Sequence, residues 1–301
     1  MGLSINQNIA AINSYRNLSN TQNDLSKSLE KLSSGFRINR AADDAAGLAI
    51  SEGLRSQIGG LKVAGRNAQD GISVVQTAEG ALTETHAILQ RLRDLAVQGA
   101  NDSNNDKARD NIKTEVDSLV EELDRIAEST NFNGTKLLGG AGSATTLTFQ
   151  VGADGDSASA ITVDLTSADV KDVASSLGQG VAAAFTAAVR DVDGNVTTHA
   201  NKIDVTSHAN AQDSIALIDS QIESVSTARA ELGAYQNRFE HTIKNINVAV
   251  ENLSASESRI RDTDMAQEMM NFTKNQILSQ AGTAMLAQAN QIPQGVLSLL
   301  R

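Results

Sequence analysis

Two adjacent carboxylates, Asp43 and Asp44, follow two arginines in the segment LSSGFRINRAADDAAGLAIS at residues 32–51. Paired acids beside cations could share a proton and act as general acid and base. Neighbouring residues on a helix point about 100° apart, however, so the two side chains would not converge on one substrate atom. Carboxylates are also stabilised at a helix N-terminus by the helix dipole. The pattern therefore favours the first turn of a helix beginning near residue 41 over a catalytic pair.

No other set of residues has the spacing of a catalytic or metal site. The histidines are His86, His199, His208 and His241, and no two lie three to five positions apart, as a helical metal pair requires. The chain has no cysteine, which excludes thiolate chemistry. The glycine-rich stretch at 139–142 lacks the Lys-Ser/Thr of a phosphate loop, and DGD and DVDG lack the remaining ligands of a calcium loop. We therefore predict no enzyme activity, no metal and no cofactor.

Composition and charge favour a helical protein that does not bind nucleic acid and does not insert into a membrane. The net charge is −11, whereas binding of phosphate backbones needs a basic surface. No apolar run approaches the ~18 residues of a membrane span, and the N-terminus lacks the basic and apolar regions of a cleaved signal peptide. The single proline among 301 residues permits very long helices.

Apolar residues recur at steps of three and four near both ends of the chain, which is typical of helices that pair. The N-terminal stripe includes Ile5, Ile9, Ile12, Leu18, Leu25, Leu29 and Leu32, and the C-terminal stripes include Ile260, Met269, Phe272, Leu297 and Leu300. Gly35 predicts the end of the first helix. Further helices are predicted over residues 41–99, 107–129 and 213–293. These ends need partners, either each other or further copies of the chain.

The middle of the chain is less regular. TLTFQV and ITVDL alternate and are rich in β-branched residues, so they predict a β-hairpin near residues 145–166. A short helix is expected within 168–178, and DVDGNVT predicts a turn between short strands.

The two ends closely resemble the terminal signatures of bacterial flagellins. The resemblance is carried by SINQNIAAINSYRNLSNTQNDLSKSLEKLSSGFRINRAADDAAGLAIS and by RDTDMAQEMMNFTKNQILSQAGTAMLAQANQIPQGVLSLLR. LQRLRDLAVQGAND and FQVGADGDSASAITVDL are also similar to flagellin core segments. The similarity covers roughly residues 1–170 and 206–301, and the motifs occur in the order of the family.

The resemblance implies a mainly α fold in three parts. Residues 1–40 and 255–301 would form a terminal coiled coil lining the inside of a tube. Residues 41–177 and 206–254 would form a helical rod with the hairpin, and 178–205 a short variable outer insertion. The joint between terminal helix and rod would use Arg37, Asn39, Arg40, Asp43 and Asp44 for helix starts and contacts between subunits.

The resemblance also implies function and partners. The chain would self-assemble into the flagellar filament used for motility, after secretion by the flagellar export apparatus with its export chaperone. It would meet flagellar cap and hook-associated proteins outside the cell. The family's epitope for the host Toll-like flagellin receptor matches Arg91, Leu95 and Glu115. The peptide sensed by plants matches residues 30–51, where Arg40 and Ala42 replace the usual Ser and Lys.

Three alternatives remain open from the sequence. A flagellar hook–filament junction protein would share the helical ends. An enzyme would need a catalytic domain inserted at residues 141–205. A coiled-coil adhesin or phage-like fibre would form a closed trimer, which the molar mass in solution would distinguish.

Overall fold

The structure is a computed structural model that describes residues 8–139, 146–178, 189–190, 196–198 and 202–299. Helices dominate these residues, and most of the helices are long. They are α1 (Ile9–Ser34), α2 (Ala45–Gly99), α3 (Asp106–Ser129), α4 (Val170–Ser176), α5 (His208–Arg261) and α6 (Met265–Leu299). The mainly α fold predicted from the sequence is confirmed.

The described strands form three antiparallel ribbons of two strands each. They are β1 (Asn131–Phe132) with β2 (Thr135–Lys136), β3 (Thr146–Gln150) with β4 (Ala160–Asp164), and β5 (Val189–Arg190) with β6 (Val196–Thr198). The β3–β4 register pairs Thr146 with Asp164 and Gln150 with Ala160, which confirms the predicted hairpin. The β1–β2 ribbon was not predicted, although Asn133 and Gly134 both have positive φ, as a tight Asn-Gly hairpin turn requires.

Local capping sets the ends of α1. The Asn8 side chain accepts a hydrogen bond from the Ala11 backbone N–H at 3.1 Å, which satisfies one of the unpaired donors of the first turn. At the other end Gly35 adopts φ 76°, a left-handed conformation that glycine reaches without strain. The Gly35 N–H donates to the Lys31 carbonyl, and the helix ends where the sequence predicted.

Two helix boundaries correct the sequence predictions. Helix α2 begins at Ala45, so Asp43 and Asp44 precede its first turn instead of lying within it. Asp44 instead caps the helix, since its Oδ1 accepts from the Gly47 N–H at 2.8 Å.

The helix predicted over 213–293 is divided in two at residues 262–264, and its second part continues past Pro293 to Leu299. The loss of one N–H donor at Pro293 therefore does not end α6.

The chain divides into two compact units, the first made of Met1–Gly59 and Val250–Arg301. In this unit α1 packs along α6. Leu18 is buried, and its Cδ1 lies only 3.2 Å from where a Cβ on Gly282 would stand, so glycine permits the close approach. The Asn8 side chain donates to the Ala289 carbonyl at 2.8 Å.

The second unit, Gly60–Ala249, contains the large apolar core. Aliphatic side chains from α2, α3, α4, α5 and the β3–β4 hairpin fill it. The ring of Phe239 is fully buried and meets that of Phe149 edge to face, with centroids 5.5 Å apart. The predicted three-part division at residues 40/41, 177/178, 205/206 and 254/255 stays a prediction.

Candidate assembly surface and joint

The α1–α6 pair leaves many large apolar side chains exposed. We call this set of side chains the open apolar face, and it consists of Ile9, Ile12, Tyr15, Leu29, Met265, Met269, Met270, Ile277, Leu278 and Met285. Between 46% and 66% of each of these residues is exposed. Single exposed apolar residues are ordinary, but an extended set along two packed helices marks an interaction surface.

The structure separates the predicted assembly residues into groups. Leu18 is buried between the helices, while Leu25, Leu32, Ile260 and Phe272 are half-buried. Ile9, Ile12, Leu29 and Met269 belong to the open apolar face. Ile5 and Leu300 lie outside the described residues, and Leu297 lies in α6 with its side chain outside the description. The predicted stripes thus contain both contacts within the chain and side chains left open.

The joint after α1 is held by backbone hydrogen bonds to the turn between α5 and α6. The Arg37 N–H donates to the Arg261 carbonyl at 2.6 Å, and the Thr263 N–H donates to the Gly35 carbonyl at 3.0 Å. Phe36 and Asp262 therefore pair as in an antiparallel ladder. This bridge ties the end of α1 to the start of α6 within the first unit.

The predicted joint residues find partners inside the chain. The Arg37 guanidinium donates to the Ile260 carbonyl at 2.6 Å, and Arg40 Nε donates to Glu30 Oε1 at 2.7 Å. The bond to Glu30 raises the pKa of Arg40 above its ordinary value. The Asn39 amide donates to Ser34 Oγ at 2.8 Å.

The Asp43 carboxylate closes the turn that precedes α2. It accepts from the backbone N–H groups of Arg40 at 2.9 Å and Asn39 at 3.1 Å. These bonds hold the pKa of Asp43 below its ordinary value, because they favour the charged form. Contacts of the joint residues with other subunits stay a prediction.

Arg261 also belongs to the joint, although the sequence did not predict it there. Its guanidinium lies 4.7 Å from the centroid of the Phe36 ring, and Nη1 donates to Glu52 Oε1 at 2.8 Å. The signal that could have revealed this turn is the capping sequence DMAQ. Asp264 accepts from the N–H groups of Ala266 and Gln267 and so begins α6.

The second unit brings two of the three predicted receptor residues together. Glu115 Oε1 accepts from Arg91 Nε at 2.9 Å and from Nη2 at 2.6 Å, and both side chains are about half exposed. Leu95 is only 1% exposed and belongs to the core beneath them. The surface at this position therefore consists of the Arg91–Glu115 pair, without the Leu95 side chain.

The described residues show neither the pattern of a metal site nor that of a membrane span. Within the described ranges, no three His, Cys, Asp or Glu side chains are grouped as metal ligands would be. Over the same ranges, none of the helices combines the length and apolarity that a membrane crossing requires. His199 lies outside the described residues. The described residues therefore form long helices, and the paired helices α1 and α6 carry the open apolar face.

Comparisons with known proteins identify the family. Two family models match: the bacterial flagellin N-terminal helical region over residues 5–143, and the bacterial flagellin C-terminal helical region over residues 215–300. A flagellin of Bacillus subtilis (strain 168) is 51% identical over 307 residues, which cover 99% of each chain. The flagellar filament 33 kDa core protein of Treponema phagedenis is 46% identical over 305 residues, again covering 99% of each. The crystal structure of Bacillus cereus flagellin aligns with a TM-score of 0.45 at 28% identity, over 60% of this chain and 88% of that one.

The chain belongs to the bacterial flagellin family. Flagellins are structural proteins, so membership confirms the prediction that this chain is not an enzyme.

Proposed function

We propose that this chain is the repeating subunit of the helical flagellar filament and that its terminal helices drive assembly. The observation that carries the proposal is the open apolar face on α1 and α6, whose members are 46–66% exposed although the two helices are already paired. A helix pair covered on one side only needs further partners for its other sides.

Burial of this face supplies the driving force for polymerisation. Apolar surface removed from water contributes roughly 25 cal/mol per Å². Contacts between different patches of identical subunits generate helical fibres when the rotation from one subunit to the next does not close into a ring. A filament would therefore grow if the open apolar face of each copy packs against a different patch of the next copy.

Seeded polymerisation tests the proposal. Purified protein is mixed with sheared filament fragments, growth is followed by light scattering, and the products are viewed by negative-stain electron microscopy. Long filaments that grow from the seeds are the expected result. Short complexes that bind to seeds and stop further growth would favour the junction protein. Folded protein that does not bind to seeds would contradict both.

Point variants locate the driving force on the open apolar face. Ile277→Ser and Met285→Ser remove apolar groups that are 60% and 63% exposed in the free chain. If neighbours bury them, each loss costs about 1.5–3 kcal/mol, and the monomer concentration left at equilibrium rises about tenfold or more. This monomer concentration is measured in the supernatant after the filaments have been pelleted.

The matched controls are Gln276→Ser and Gln288→Ser, which change exposed polar residues of the same helix. They should shift the equilibrium concentration far less. Equal shifts in both pairs of variants would show that apolar burial at Ile277 and Met285 does not drive assembly.

The open apolar face is also the surface that we expect other flagellar proteins to contact before and during assembly. An export chaperone that covers α6 would keep its exposed methionines and Ile277 from premature contact during secretion by the flagellar export apparatus. Flagellar cap and hook-associated proteins would contact the same helices at the filament ends. Outside the cell, the chain would then become part of the filament used for motility.

A second role, recognition by the host Toll-like flagellin receptor, is supported by the exposed Arg91–Glu115 pair. Removal of a charged group that forms hydrogen bonds in an interface costs several kcal/mol. We therefore expect Arg91→Ala to weaken the receptor response at least about tenfold, as measured in receptor-expressing reporter cells with titrated monomer. Leu95→Ala is unsuitable, since it would open a cavity in the core.

Arg93→Ala is the matched control for the receptor test. Arg93 lies on the same helix, is similarly exposed and also forms an ion pair, through Nε to Asp219 Oδ1 at 2.6 Å. Its removal should leave the response within about twofold, because exposed ion pairs contribute little to stability. An unchanged response to Arg91→Ala, or an equal loss in both variants, would contradict the proposed site.

A further inference from the structure

Every methionine of the sequence after Met1 lies on helix α6. These residues, Met265, Met269, Met270 and Met285, are 48%, 50%, 60% and 63% exposed. The chain contains neither cysteine nor tryptophan. Their thioethers are therefore the side chains that a mild two-electron oxidant reaches first.

The exposed thioethers belong to the surface proposed for assembly. Met265 and Met269 are four residues apart and so share one side of the helix. Met269 and Met270 line one surface groove together with Ile277. All four methionines are members of the open apolar face, so a change in their polarity changes the polarity of that face.

We propose that these methionines are a modification site. Their oxidation by a peroxide would prevent the unassembled subunit from polymerising. The inference rests on the proposed function. A thioether sulfur donates an electron pair to one oxygen of hydrogen peroxide, an S–O bond forms and the O–O bond breaks. The second oxygen leaves as hydroxide and takes the proton of the sulfur-bound hydroxyl, which gives water and the sulfoxide. Sulfur is oxidised by two electrons and peroxide is reduced by two.

The product opposes assembly for a physical reason. A sulfoxide is polar and accepts hydrogen bonds, whereas the thioether is apolar and adaptable. Burying the sulfoxide without a hydrogen-bond donor carries a desolvation cost. Each sulfoxide is therefore expected to raise the equilibrium monomer concentration about tenfold. In the filament the same sulfur atoms are covered, so their oxidation is slower than in the monomer.

The test compares full-length monomer before and after treatment with hydrogen peroxide. Mass spectrometry counts the added oxygens on each peptide, circular dichroism checks helix content, and seeded growth measures assembly. We expect the oxidised monomer to lose seeded growth and to recover it after treatment with methionine sulfoxide reductases for both sulfoxide epimers. Fully oxidised, helical monomer that grows at the untreated rate would overturn it.

A variant with leucine at all four positions separates sulfur chemistry from other damage. It retains Met1 and an apolar face, so it is expected to grow before and after peroxide treatment. Equal loss of growth in this variant would assign the effect to Met1 or to other side chains and would overturn the inference. If untreated wild-type protein does not extend seeds, the proposed function fails as well. If it does extend them, only the oxidation step is in question.

Discussion

Gly71 lies where α2 passes the buried ring of Phe239. A Cβ at this position would stand 2.8–3.2 Å from three carbons of the ring, which is closer than carbon atoms normally approach. Gly80 lies on the same helix with no atom within 4 Å of the equivalent position. The two glycines therefore have opposite roles, since one permits tight packing and the other only weakens the helix.

Alanine at each position tests this difference. We expect Gly71→Ala to lower the free energy of unfolding by about 1–3 kcal/mol, because the core must shift to admit a methyl group. Gly80→Ala should raise it by about 0.5–1 kcal/mol, since alanine favours the helix. Denaturant unfolding monitored by circular dichroism gives both values. A stabilising Gly71→Ala would show that Phe239 moves aside without cost.

At the scale of elements, the segment that leads into α5 is fixed by polar contacts. The Asp204 N–H donates to Ser214 Oγ at 2.8 Å, and His208 Nδ1 lies 2.6 Å from the Ala100 carbonyl oxygen at the end of α2. Burial acts to raise the pKa of Asp204, but hydrogen bonds from Thr206 and Asn210 outweigh it, so the pKa is lowered.

This lowered pKa predicts a loss of stability in acid. A carboxyl group with a depressed folded-state pKa stabilises the fold above its unfolded pKa, about 3.9 for Asp. That contribution is lost as pH falls through the lower folded-state value. Wild-type protein should therefore have a higher Tm than Asp204→Asn at pH 7, and the difference should shrink below about pH 4. Thermal unfolding at several pH values measures it, and a constant difference would contradict the assignment.

At the scale of the whole molecule, the two units differ in how many apolar side chains they bury. The second unit contributes nearly all of the buried apolar side chains of the described residues. In the described part of the first unit, the buried apolar residues are Leu18, Ile38, Ile58 and Ala289. We infer that the second unit is stable through its own core, whereas the first unit gains most of its stability from neighbouring subunits.

Local patterns in the sequence predicted most of the helices, the β3–β4 hairpin and the family. Helical spacing, alternation and capping residues such as Gly35 are local signals. They depend only on the residues of one segment and not on where that segment packs. The two terminal signatures were sufficient to identify a flagellin. The break at residues 262–264 also had a local signal, but the long apolar stripes on either side masked it.

Which side chains are covered depends on tertiary packing. Leu18 and Leu29 look alike in the N-terminal stripe, yet one is buried against α6 and the other is 51% exposed. Leu95 shares a helical spacing with Arg91 but lies in the core, while Glu115 reaches Arg91 from another helix. The position of Arg261 over Phe36 likewise joins residues far apart in the chain. Burial and ion pairing depend on which elements pack together, and no single segment contains that information.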